Sequence, residues 1–261
     1  MINSTFFVGA PLEFHKKCLV YPPTVKDVVS TPKYGLYIKV LTMSQEEIQD
    51  ELAQRLEAGQ RIPTPMEYLL ANCYNSNEFT ETVKDAFLFF TRQEVSFLYD
   101  QKTIIFGNLN KIVIDLKESS ESETPKSITD IVNGIGENEF FDFQNLIREA
   151  IGDKPLPPPT PPDPNEDPRI ARIKAKARYR DRIKAKQGNK NGISFNSCLI
   201  AICCMGIGIT PLNIGEMSYA AVSPIMRMYQ EKEKYEVDIK SLLAGADKKK
   251  VHPQYWIRNL D

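Results

Sequence analysis

The feature that most restricts how this chain can fold is a stretch near its middle, residues 153–191, that has almost nothing to bury. Between Pro155 and Pro168 eight of fourteen residues are proline, and between Arg169 and Lys190 ten are lysine or arginine against the single acid Asp181. Proline has no backbone donor and favours an extended left-handed chain, so the first part is a semi-rigid strut spanning roughly 40 Å. The second part carries alanines and long basic side chains, which favour helix, and reads as a helix from Ile170 to Lys186 that Pro168 is placed to start. Its apolar stripe is thin, with Ile170, Ile173, Ala177, Tyr179 and Ile183. The expected organisation is therefore an N-terminal domain over 1–152, a proline-rich linker over 153–168, a basic helical connector over 169–191 and a C-terminal domain over 192–261.

A hydrophobic share of 42%, with 10% aromatic residues, is enough for packed cores on either side of the connector and excludes disorder of the whole chain. The net charge of -1 hides a segregation: residues 1–152 hold 14 basic and 22 acidic side chains, 153–192 hold 11 and 5, and 193–261 hold 8 and 7. The positive charge is thus concentrated in the connector beside an acidic N-terminal domain. Cys18, Cys73, Cys198, Cys203 and Cys204 show no CxxC spacing and sit in apolar runs, so they read as small core residues of a reducing compartment. The N-terminus has no basic region leading into an apolar one, so no secretory signal is expected. Cys198–Ile209, about a dozen residues broken by glycine, is short of the ~20 needed to span a bilayer and reads as a buried core helix.

Along the chain, Thr5–Val8 and Leu12–Val20 have strand composition around Gly9-Ala10-Pro11, which predicts a hairpin there. Thr24 is placed to cap a short helix after Pro22-Pro23. Tyr34–Met43 is apolar at helical spacing through Tyr37, Ile38 and Leu41. Ser44 and Glu47 form a capping box for a helix with Ile48, Leu52 and Leu56 on one face, ended near Gly59. Thr64-Pro65 opens another helix through Tyr68, Leu69 and Cys73, and Thr80–Thr91 follows with the very apolar Ala86–Phe90. Val95–Tyr99, Thr103–Phe106 and Ile112–Leu116 predict a small β element, Lys117–Lys126 a polar loop, and Phe140–Ile151 a closing helix ended by Gly152. Beyond the connector, Ser197–Met205 reads as a short helix, Gly206–Gly215 as turns, and Tyr219–Leu243 as a long helix with Ser218 as cap and Pro224 in its first turns. The expected fold class is α+β, mainly α, with a small all-α C-terminal domain.

Groups arranged for chemistry are scarce. His15 and His252 have no metal-site spacing, and the P-loop, GxSxG and HExxH patterns do not occur. Gly206-Ile207-Gly208 lacks the rest of a dinucleotide fingerprint and is a turn signal. The carboxylate pairs Glu46-Glu47 and Glu137/Glu139 read as solvated charge, and Cys203-Cys204 as core. A non-enzymatic protein without cofactor or metal is expected. The basic helix reads first as a solvated helical spacer; its candidate electrostatic docking residues, for an acidic protein surface of either a partner or this chain's own N-terminal domain, are Arg169, Arg172, Lys176, Arg180 and Lys184. The lack of interleaved aromatics apart from Tyr179, the absence of dimerising heptads behind the helix and the near-zero net charge argue against nucleic acid and membrane as their target. The candidate partner-binding residues are Val222, Ile225, Met226 and Tyr229 on the long helix, with Trp256 in the tail.

A strand pair followed by VYPPTVKDVV and YGLYIKVLTMSQEEI, the later FDFQNLIREAI, and a C-terminal part with IGEMSYAAVSPIMRMYQ and KYEVDIKSLLAGADKKKVHPQYWIRNLD together resemble the long form of tail assembly chaperones of tailed bacteriophages of Gram-positive hosts. The resemblance implies a protein of the host bacterial cytoplasm that binds the tape-measure protein and keeps it soluble while the tail tube assembles. It also brings in the tail-tube protein and self-association as further contacts, and a shorter product ending near the linker through a programmed frameshift. A virion structural protein of tail or baseplate and a nucleic-acid-binding protein acting through the basic helix are the alternatives.

Overall fold

The computed structural model describes residues 4–52, 61–107, 133–156, ten residues between 169 and 184, 194–247 and 251–255. Besides helical residues within 169–184 and a 3-10 turn at Ile214–Glu216, the described α-helices in chain order are α1 (Ser4–Phe7), α2 (Val25–Ser30), α3 (Tyr34–Thr42), α4 (Gln45–Leu52), α5 (Pro65–Asn75), α6 (Asn77–Thr91), α7 (Glu137–Ala150), α8 (Phe195–Cys204) and α9 (Tyr219–Leu243). The strands are β1 (Leu12–Phe14), β2 (Cys18–Val20), β3 (Val95–Leu98), β4 (Thr103–Phe106) and β5 (Gly134–Ile135). They form one two-stranded sheet, β1-β2, and one three-stranded antiparallel sheet in the order β3-β4-β5. The fold is α+β and mainly α.

Side-chain caps start the helices, as their residue types require. The hydroxyls of Thr24, Ser44 and Thr64 accept from the backbone N–H groups of Asp27, Glu47 and Glu67, and each carboxylate accepts in return from the N–H of its cap. Pro65 begins α5, where its missing N–H leaves nothing unpaired. Helix α6 starts three residues earlier than its apolar pattern shows, because the Ser76 hydroxyl accepts from the N–H of Phe79. At the other end of the domain, α7 closes in a Schellman turn. Gly152 takes φ +81, its N–H reaches the carbonyl of Glu149, and the N–H of Asp153 reaches that of Arg148.

The main core gathers Phe6, Phe14, Val20, Tyr37, Leu41, Leu69, Phe87, Phe90, Ile104, Phe140, Phe143 and Ile147, contributed by nearly every element up to α7. The rings of Phe87 and Phe143 stack at 5.3 Å, and Phe14 and Phe106 meet them edge-on. A second, smaller core joins Val25 of α2 to Ile202 of α8 and Val222 of α9, with Phe195, Leu199, Ile225 and Met226 packed against it. The C-terminal segment is thus fastened to the N-terminal one. Thr24 and Ser218 form a β-bridge, the N–H of Val25 donates to Met217, and that of Tyr219 donates to Pro23.

Several expectations are corrected. Ser4–Phe7 is helical rather than extended, and Phe6 is fully buried, so the anchoring of one ring outweighs a local strand preference. The first hairpin turns at His15–Lys17 instead of Gly9–Pro11, with His15 and Lys16 both at positive φ. Helix α8 is not a buried core helix: Ile202 is its one fully buried residue, and Ile200 is 65% exposed. Cys18 and Cys73 are buried, Cys198 and Cys203 are partly exposed, and Cys204 faces outward, so the core reading holds for the first two alone. Ser218 sits at the start of α9 but does not cap it; its hydroxyl donates to the carbonyl of Phe6 at 2.7 Å. The expected strand at Ile112–Leu116, the loop at Lys117–Lys126, Leu56, Gly59 and residues 157–168 of the linker lie outside the described residues.

Candidate partner-binding site

The candidate residues on α9 are mostly engaged within the chain. Val222 is buried, and Ile225 and Met226 pack against Val25 and Ile202. Tyr229 is half-exposed, with its hydroxyl beside Glu233, whose hydrogen bond and then charge push the phenol upward. Trp256 lies outside the described residues. A helical period marks a face that will be covered, and here the chain itself covers it. Beyond Tyr229 the helix continues largely exposed, ending with Leu243 at 83%.

The described residues between 169 and 184 are all helical, and Arg169, Lys176, Arg180 and Lys184 are exposed; Arg172 lies outside the described residues. Contact with the N-terminal domain is made by Arg178, a residue not singled out from the sequence. Its guanidinium donates to Gln49 Oε1 at 3.0 Å and sits 3.7 Å from the buried carboxylate of Asp50.

Two ion clusters occupy the carboxylates that read as solvated charge. Glu139 of α7 accepts from Lys17 at 2.6 Å, with His15 3.5 Å away, while Lys17 also donates to the carbonyl of Gly134. Partial burial alone would raise the Glu139 carboxyl, but Lys17 and the N–H of Gly136 outweigh it and hold the group below its usual range. Nearby, Lys102 in the β3-β4 turn donates to Glu67 at 2.6 Å and to Glu137 at 3.4 Å, and the Thr64 hydroxyl donates to Glu137 at 2.8 Å. These contacts pin the sheet to the starts of α5 and α7.

The Lys102 hydrogen bond is the main reason the Glu67 carboxyl lies below its ordinary value. The folded state therefore binds the proton less readily than the unfolded one. The stabilisation is complete above 4.5 and is lost as the pH falls through the folded value. Glu67→Gln is expected to lower Tm at about pH 7. The gap from the unmodified chain should narrow as the pH is taken below 4.5; a gap that widens instead would reverse the assignment.

A recess of about 310 Å3 lies between α3, α4, α5, α6 and α7. Leu36 and Val40 of α3, Ile48 of α4, Leu69 of α5 and Phe79 of α6 give it apolar walls, and Lys39 and Glu51 pair across its rim at 3.6 Å. Gln144 of α7 also lines it and is only 1% exposed. Its amide N–H donates to the carbonyl of Met43 at 3.0 Å, which fixes the orientation of the side chain, since a carbonyl can only accept. The Gln144 Oε1 is then left buried with no hydrogen-bond partner among the described residues. No sequence period could mark this recess, because each helix contributes only one to three side chains to it.

Among the described residues no group of three or more His, Cys, Asp and Glu side chains could hold a metal ion, and no helix is long and apolar enough to cross a membrane. Burial pushes the thiols of Cys18 and Cys73 up to about 12, so neither is a nucleophile near neutrality. Comparison with protein-family models, with curated proteins and with solved structures finds no match.

Proposed function

We propose that this chain is a tail assembly chaperone of a tailed bacteriophage, which binds the apolar helices of the tape-measure protein in the host cytoplasm and acts by binding rather than catalysis. The observation that carries the reading is the apolar recess formed by α3–α7, with its charged rim. A recess of this kind receives one or two side chains from the apolar face of an amphipathic helix. Exposed Ile200, Ile207 and Leu212 in the C-terminal segment offer a second apolar contact. Two modest contacts on one chain hold a long partner more tightly than either alone, yet each can be displaced in turn as tube subunits arrive.

Co-expression with a tape-measure fragment tests this. The expected result is a larger soluble fraction of the fragment and its co-purification with this chain, both reduced by Val40→Asp, which places a charge in the recess wall. An unchanged soluble fraction with nothing co-purifying overturns the reading. Recovery of the chain from purified particles would instead favour a virion structural protein.

A further inference from the structure

We infer that Lys176, Arg180 and Lys184 form a row of cations that docks a helix of the partner carrying carboxylates beside its apolar face, and that Arg178 holds this row outward. The inference rests on the reading of the chain as a binder of amphipathic helices and names the charge such a helix must bring. Lys176, Arg180 and Lys184 are helical, exposed and spaced four residues apart. Helical residues at that spacing lie on one side, about 6 Å apart along the axis. None of the three has an ion pair or hydrogen bond with the described residues. Arg178 lies two residues from both Lys176 and Arg180, about 200° of helical turn, and so faces the other way. It reaches Gln49 Oε1 at 3.0 Å and the buried Asp50 carboxylate at 3.7 Å. This chain's own acidic domain is thus met by the opposite side of the helix, and the row is left to another molecule.

Charge complementarity makes that molecule acidic, and the residues beside the row select among acidic molecules. Ile173, three residues before Lys176 and so on the same side, is 68% exposed. A strand of phosphates would leave it in water, and the described residues of this segment include no ring to stack on a base. A bilayer surface calls for a broad apolar face, whereas this side has Ile170, Ile173 and Ala177, with the acid Asp181 at its margin. An amphipathic protein helix meets both needs. Carboxylates four residues apart on it repeat the step of the row, and an apolar residue next to them covers Ile173. Exposed cations of this kind act on encounter and register and weaken with salt; Arg178, set against a carboxylate withdrawn from solvent, is screened far less.

The test uses the full chain and a fluorescein-labelled peptide with three glutamates four residues apart, a leucine three residues before the first, and a hydrocarbon staple on the far side that keeps it helical. Saturable binding by fluorescence anisotropy is expected. The same stapled peptide with glutamines should bind about tenfold more weakly, as the loss of three exposed ion pairs implies. Replacing Lys176, Arg180 and Lys184 together by glutamine should bring the two peptides to within about twofold, whereas Lys176→Arg with Lys184→Arg should keep the preference. Because the two peptides are compared on the unmodified chain, the conclusion does not depend on any variant folding. Equal binding of the two, or no saturable binding, overturns the proposal. Tighter binding of single-stranded oligothymidylate or of phosphatidylserine vesicles than of the glutamate peptide also overturns it, since the row would then serve phosphates. Arg178→Gln should leave peptide binding unchanged and speed tryptic cleavage between residues 169 and 184; unchanged cleavage overturns the part given to Arg178. Glutamate-peptide binding without co-purification of a tape-measure fragment would keep the row and remove the chaperone reading. Co-purification that the triple-glutamine chain retains in full would keep that reading and overturn the row.

Discussion

A chain with Phe87 replaced by alanine is expected to lose about 3–5 kcal/mol of folding stability, the usual cost of emptying a buried aromatic site. Phe87 is fully buried, stacked on Phe143 at 5.3 Å and met edge-on by Phe106, so its ring links α6, α7 and β4. Domains typically hold about 5–15 kcal/mol in total, and such a loss would leave the variant near its threshold at growth temperature. Urea unfolding followed by circular dichroism measures it. Leu88, next in sequence but 45% exposed, provides the control, and Leu88→Ala should cost well under half as much. Equal losses at the two positions would place the core on the wrong face of α6.

The second large effect is expected at Gly152. Its φ of +81 lies in the left-handed region, where a side chain costs about 1–2 kcal/mol. A Cβ there would also lie 3.1 Å from both the Cα and the carbonyl oxygen of Ala220, and backbone atoms cannot rotate aside. Gly152→Val should therefore lift the start of α9 away from the end of α7, with faster proteolysis within residues 194–243 as the readout. Gly245 is also left-handed, at φ +96, but a Cβ there meets nothing within 4 Å. Gly245→Val should show the backbone cost without the change in cleavage. If the two variants are cut alike, the contact between α7 and α9 does not hold the C-terminal segment.

What was legible in the sequence follows the range of each interaction. Thr24, Ser44 and Thr64 were readable as caps because the groups they satisfy lie three residues away, and the β3-β4 hairpin because its strands are neighbours in the chain. Strand β5 was not, since its two residues are extended only by pairing with Ile104 and Ile105, about thirty positions earlier. The apolar face of α9 was legible, but not its occupant: a period is the same whether Val222 meets a partner or Ile202 of the same chain. The recess between α3 and α7 was not legible at all, since its walls come from five helices and Gln144, beside the buried Phe140, Phe143 and Ile147, reads by itself as a solvated helix residue.

The hydrogen bond from Ser218 to Phe6 spans 212 positions. At roughly 5–20 residues per second, about 10–40 s separate the emergence of the two residues from a ribosome. Throughout that interval the carbonyl of Phe6, the N–H of Val25 and the carbonyl of Pro23 lack the partners that residues 217–219 later provide. A product whose translation stopped at the proline-rich run would never receive them, and would keep that seam open for a different strand or helix to close.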